Sequence, residues 1–431
     1  MKRRDFLKAS AAGLAAAALP ATAGTAAPAA GEPGRRAVFL VPGYRTDLAA
    51  YRGAPVDRSP EMKRHFPKDF DAGGTLVTRI DEGDGTVRRA LMPIFGHKIT
   101  VSPDGRLAFW NSMNGLSLVS FDPATLEMGV YAQPRDGDHI GGGHAVFTPD
   151  GGLIVATERK MFGDPHADPR DQYGLITLRD PQTLRVVESY SSHGVAPHAI
   201  ALFDDGRHVA VAHYGTMNLP RPNERPVISE PSLCVLELAG GRLVRKWTGD
   251  HPRREVRHLA VGGLDRIAAI LTEEGSGEDM RARHRDHGGV YEPDLSVEEG
   301  YSYLPAPVRF FDAAAGTAGA TSLAPDPMDM RQGQSMVYDP VHNQVIATFT
   351  SSHTVGVFDG ASGALARLVR TGGLGLRYPR GVVLHPDGVH YVVSASWGGL
   401  FHFRRGDHGH VAARDRHDLF FDHSHLSVLA A

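Results

Sequence analysis

Apolar runs of four to seven residues, rich in β-branched and small side chains, recur along the chain: "LIVAT", "VAVAH", "IAAIL", "VIATFT" and "YVVSAS", each bounded by Gly, Asp or Pro. Runs of that length and composition predict β-strands. They come in pairs around an Asp-Gly or similar turn, the turn type that joins two antiparallel strands, at residues 97–111, 144–158, 198–214, 258–272, 334–350 and 380–396. Between these lies a second kind of hairpin, starting at Leu116, Leu175, Leu233, Val308, Val355 and Leu400, with "TLVTRIDEGDGTVRRAL" from Thr75 as a seventh. Strict alternation of the two kinds predicts an all-β fold, a seven-bladed β-propeller of four-stranded blades. A pair of β-sandwiches would share the short strands but not the two-hairpin period. No stretch shows a helical period long enough for a βαβ unit.

One inner hairpin is missing from the count, and the two ends of the chain can supply it. "AVFLVPGYR" (Ala37 to Arg45) gives one strand and the terminal "HSHLSVLAA" gives another. The C-terminal strand then closes the ring as the innermost strand of the first blade and removes an exposed edge.

The first residues do not fit this pattern. "MKRRDFLKASAAGLAAAALPATAG" has a basic start, a short Ala/Leu segment and small-residue cleavage sites, which reads as a cleaved export signal over residues 1–30 ahead of a single propeller domain over 36–431. The pair Arg3-Arg4 followed by Asp5-Phe6-Leu7-Lys8 resembles the bacterial twin-arginine signal, which implies export of an already folded protein. No later segment has about eighteen consecutive apolar residues, so the mature chain is expected to be soluble, without a membrane span, in the periplasm or outside the cell. The formal net charge is −3, and loss of Lys2, Arg3, Arg4 and Lys8 against Asp5 makes the remainder more acidic, which argues against a nucleic-acid partner. The single cysteine, Cys234, excludes an intramolecular disulfide and haem c attachment, and reads as packing in an apolar strand.

Aligning the Asp-Gly turns puts His97, His198 and His258 at one repeated position just before the innermost strand, with Gln334 and Arg380 there in two other blades. His425 takes the same place if the C-terminal strand closes the ring, and the remaining blade has Gly143 with His144 one residue on. Imidazoles gathered about one axis would form a nitrogen-rich funnel suited to iron, copper or zinc rather than calcium or magnesium. The competing reading is structural: a histidine there could simply hydrogen-bond the next blade. The loops expected on that face, 46–72, 159–173, 215–231 and 273–306, carry His65, His166, Glu273, Glu274, His284 and His287, with Glu158 immediately ahead of the second, and Tyr214 and Trp397 at strand ends could wall a pocket. The terminal set His402, His408, His410, His417 and His423, interleaved with Asp and Arg, reads as a solvated face. No serine-nucleophile elbow, zinc-protease helix, P-loop or dinucleotide fingerprint is present, so no nucleotide cofactor is expected.

The twin-arginine start, the "H-x-I/V-x-x-x-x-D-G" inner hairpins and the "F-D-P-x-T-L" turns together resemble an exported bacterial propeller family classed only as a domain of unknown function, and the repeat alone is similar to YVTN-type propellers. The resemblance implies genomic neighbours of the imelysin-type iron-uptake class, and through them a part in periplasmic iron handling. It carries no catalytic residues over.

Three functions follow as expectations. The first is a monomeric, non-enzymatic protein that binds a transition metal or a metal-bearing ligand in the funnel of His97, His144, His198, His258 and His425, with Gln334, Arg380, Glu158, Tyr214 and Trp397 as further ligand contacts. The second is a metal-dependent, lactonase-like hydrolase or an oxidoreductase subunit on the same face, with Glu158, Glu273 or a histidine as general base. The third is a scaffold that docks partner proteins through its loops.

Overall fold

The computed structural model describes residues 36–44, 75–94, 96–113, 115–164, 166–219, 227–249, 254–275, 302–303, 305–395, 399–417 and 425–430. Their strands form seven antiparallel blade sheets that follow one another along the chain, with a small two-stranded ribbon, Thr216–Met217 and Val227–Ile228, beside the fourth. In the second blade the order from the inside outward is Gly96–Val101, Ala108–Ser112, Leu118–Phe121 and Met128–Ala132. The innermost strands of the third to seventh blades are His139–Phe147, Pro197–Leu202, Arg254–Gly263, Gly333–Asp339 and Pro379–Leu384. Each packs against the innermost strand of the next blade, which makes the ring of a seven-bladed propeller.

The first blade closes the ring as expected. Ser427–Ala430 is its innermost strand and pairs antiparallel with Ala37–Tyr44, Phe39 facing Val428 and Leu40 facing Ser427. Thr75–Asp81 and Val87–Met92 lie outside it. The seventh blade is the least regular: Leu400–Arg404 ends a three-stranded sheet, and the fourth position is reduced to bridges from His410 to Phe403 and from Arg416 to Leu400.

The core lies between blades. Leu40 and Val77 of the first blade pack with Ile99, Trp110 and Phe121 of the second, and equivalent clusters fill the other seams. Cys234 belongs to one of them, fully buried, and burial pushes its thiol up to about 12. Below the core the Asp-Gly turns reverse the chain as the sequence implies: at Gly105 φ is +72°, and its N–H donates to the Ser102 carbonyl at 2.9 Å. Every inner strand therefore runs from the loop face to the turn face, and its first residues stand at the mouth of the central channel. Among the described residues no helix is long and apolar enough to cross a membrane.

Candidate metal centre

Five histidines meet at that mouth. The ring centroids of His97 and His425 are 4.4 Å apart, those of His144 and His198 4.5 Å, His97 and His198 4.9 Å, and His258 lies 5.0 Å from His425 and 5.2 Å from His198. All five are buried. Two sets of three, His97 with His144 and His198, and His144 with His258 and His425, each bring one possible ligand atom per residue within 4.8 Å of the others, so each could hold a metal ion.

A slip in strand pairing aims these side chains inward. The inner and second strands lose register between Gly96 and Ile99, Gly141 and Ala145, Pro197 and Ile200, and Val256 and His258, the positions that hold the histidines. A bulge of this kind bends the strand and redirects a side chain that regular pleating would point into a blade seam. The same slip occurs at Gln334 and Arg380, so the repeated position is a structural one, filled by histidine at 97, 198 and 258. In the third blade it is Gly143 at φ +99°, where a Cβ would come within 2.9 Å of His97 Cδ2 and 3.0 Å of His198 Cε1. Glycine is needed there both for the backbone and for the space, and the histidine moves on to position 144.

The backbone of the cage is clamped. Thr157 Oγ1 donates to the carbonyls of His144 and His198, each at 3.0 Å, and Asn111 Nδ2 donates to the His144 carbonyl at 2.9 Å. His198 Nδ1 donates to the Gly142 carbonyl at 2.6 Å, which leaves its Nε2 as the lone-pair nitrogen. That Nε2 and the Nε2 of His144 are buried without a hydrogen-bond partner among the described residues. Burial first, then the neighbouring imidazoles, hold His144, His198, His258 and His425 well below the usual histidine range, so these rings are neutral near pH 7. A neutral imidazole with a fixed tautomer and a free nitrogen is the form that ligates a metal.

The further contacts named from the sequence divide. Tyr214 stacks on His198, centroids 4.4 Å apart at 30°. Gln334 is buried at its ring position and Arg380 is half-buried at its own. Glu158 is committed elsewhere: its carboxylate accepts from Arg179 Nη2 at 2.6 Å, Thr177 Oγ1 at 2.9 Å and the Arg135 N–H at 2.8 Å. Trp397, His65, His284 and His287 lie outside the described residues, and His166 is exposed.

Of the C-terminal histidines read as a solvated face, His417 is exposed and His410 half-buried, His423 lies outside the described residues, and two depart from the expectation. His402 is fully buried and His408 nearly so. His402 Nε2 and His385 Nε2 bond the two carboxylate oxygens of Glu82 at 2.8 and 2.6 Å, and Arg414 reaches Glu82 and Asp387. This ion network ties the seventh blade to the first. Sequence reading missed it because Glu82 and His385 are 303 positions apart, and the only local signal was a histidine in place of a small polar residue before "PDG". Lys98, Arg159 and Arg257, which surround the cage, also went unread.

Residues 1–20 match the twin-arginine translocation pathway signal sequence, which marks the chain for export. None of the curated proteins matches the chain. Among solved structures it resembles a chain of Kuenenia stuttgartiensis Hydrazine Synthase, with a TM-score of 0.54 and 15% identity over 77% of this chain and 90% of that one, a likeness of fold. Residues 91–289, which hold four of the five cage histidines, match the model of a family described as "Protein of unknown function (DUF1513)".

Proposed function

We infer that the protein is a periplasmic propeller that binds a transition metal ion in the cage of His97, His144, His198, His258 and His425. The observation that carries this reading is the pair of buried Nε2 atoms of His144 and His198 without hydrogen-bond partners among the described residues, within two overlapping three-histidine sets. Buried polar atoms are nearly always satisfied. A set of them that converges on one point, neutral and with lone pairs available, is costly unless an ion takes them up. A purely structural histidine ring, by contrast, would spend these nitrogens on neighbouring blades, as His198 spends its Nδ1.

The donor set favours borderline metals. Five neutral nitrogens suit copper, zinc or iron(II), whereas calcium and magnesium need oxygen ligands. Iron is the ion that the resemblance to exported propellers near imelysin-type proteins implies, and uptake or storage in the periplasm is the corresponding role. A hydrolase reading is less well supported, because Glu158, one of its general-base candidates, is taken up by Arg179 and Thr177.

Elemental analysis of the mature protein, exported by its own signal and purified without a histidine tag, tests the reading. Stoichiometric iron, copper or zinc is expected, with loss in the His198→Ala, His258→Ala double variant. Absence of metal from a folded wild type that also takes up none of the three on dialysis would overturn it.

A further inference from the structure

Beside the cage stands a buried guanidinium whose charge is only partly offset among the described residues. Arg159, on the strand Ile154–Lys160, is 4% exposed, and its Nε has no hydrogen-bond partner among the described residues. Its contact is with an aromatic face: its Cζ lies 5.9 Å from the centroid of Tyr214, the ring that stacks on His198. Arg257, from the next blade but one, approaches the same ring at 5.2 Å. Among the described residues Glu255 is the carboxylate that bears on Arg159, and it is already engaged, accepting from Arg257 Nε at 2.7 Å and from the hydroxyl of Thr216. A cation–π contact offsets only a small part of the cost of taking a guanidinium out of water.

The charge around the cage points the same way. The five ligands are neutral nitrogens, so a divalent ion would keep its full charge. Lys98, Arg257 and Arg380 all bear on the cage histidines, each disfavouring further positive charge there. A bare cation in this setting is opposed by its surroundings. A cation that arrives with an anion is not.

We propose that Arg159, with Arg257 beside it on Tyr214, forms an oxyanion pocket next to the histidine cage, and that the metal is held there together with a small carboxylate-class anion. The planar fork of a guanidinium matches a carboxylate bidentately, which an ammonium group could not do. Tyr214 sets the spacing between the two halves of the site, its ring against His198 on one side and within reach of both arginines. This inference rests on the metal-binding reading for its function, but the anion pocket can be tested without it.

The test is calorimetric titration of oxalate into the purified mature protein, first metal-free and then loaded with zinc, for the wild type and for Arg159→Met. Methionine keeps the unbranched stem and removes the charge, and relief of a poorly compensated buried cation should leave the variant folded. Oxalate is expected to bind the wild type about tenfold or more tighter than the variant, the effect of one charged hydrogen-bonding partner, and tighter still in the zinc-loaded protein. A second titration with bicarbonate in place of oxalate distinguishes a dicarboxylate chelate from carbonate as the natural anion. Equal oxalate binding by wild type and variant, or none by either, would overturn the pocket. If neither zinc, copper nor iron loads, the metal-binding reading falls while the metal-free titration still decides the anion pocket.

Discussion

The Nε2 atoms of His97 and His425 stand 2.9 Å apart, although 328 positions separate the residues. One ring must donate to the other, so the C-terminal strand is joined to the second blade by an imidazole pair as well as to the first blade by its backbone. That spacing also suits two ligands of one ion with metal–nitrogen bonds of about 2.0–2.1 Å. The strand that closes the ring is therefore the strand that completes the cage.

Removal of residues 425–431 should open both at once. The expected outcome is loss of the metal together with loss of cooperative thermal unfolding, read by circular dichroism and by limited proteolysis at the first blade. A truncated protein that melts like the full chain would show that the terminal strand is dispensable.

His144 belongs to both three-histidine sets, so His144→Ala should weaken metal binding more than any other single cage substitution. Loss of a supporting partner around a ligand costs about 10–100-fold in affinity, and loss of the shared ligand itself should exceed that. Competition titration against a chelator of known affinity, run on all five single alanine variants, gives the ranking.

Gly143→Ala should damage the cage without removing a ligand. Its positive φ costs about 1–3 kcal/mol for a residue with a side chain, and the new Cβ presses on the rings of His97 and His198. A fall in melting temperature accompanied by weaker metal binding is the predicted result, whereas a variant with unchanged affinity would mean that the two rings can give way.

Acid should act on the cage in a defined direction. Burial, then mutual repulsion, lowers the pKa of His144, His198, His258 and His425 below 6.5 in the folded protein. The unfolded chain thus binds more protons as pH falls below about 6.5, so stability that is full above that value drains away below it. For the same reason the rings stay neutral, and metal affinity should be flat from pH 8 to somewhat below 6.5, where an exposed histidine set would already be losing its ion. Metal affinity and melting temperature measured from pH 8 to pH 4.5 would check both.

The seam network predicts the opposite sign at one group. At Glu82, burial opposes ionisation, but bonds from His385 and His402 outweigh it and hold the carboxyl far below its usual range. At His385, burial is outweighed by bonds to Asp387 and Glu82, which raise its pKa above 6.5. The histidine's contribution is complete below pH 6.5 and is lost as pH rises through its raised value, while the carboxylate's is present above about 4.5 and lost in acid. Glu82→Gln should cost about 1–3 kcal/mol, less than breaking a fully buried ion pair because Glu82 is half-buried, and should reduce the alkaline loss of stability expected of the wild type, with Asp387 still holding His385. Denaturant titrations of both proteins at pH 6 and pH 9 would show it.

What the sequence determined by itself is the repeat and its consequences. Short apolar runs with Asp-Gly turns can only be hairpins, their alternation counts the blades, and the two unmatched ends name the closing strand. Because one structural position recurs, aligning the turns gathered His97, His198 and His258, with His144 offset by one, and the closing strand added His425. Tertiary structure alone decided where those side chains point, since a slip in the inner strands of the second to fifth blades turns His97, His144, His198 and His258 to the axis and no local pattern marks a bulge in advance. It also decided which charges are spent and which are not. Glu158 is neutralised by Arg179, Glu82 joins His385 across the closing seam, and Arg159 remains a buried cation against Tyr214. These depend on contacts between residues far apart in the chain, and the desolvation that gives them their energy exists only once the blades have closed around them.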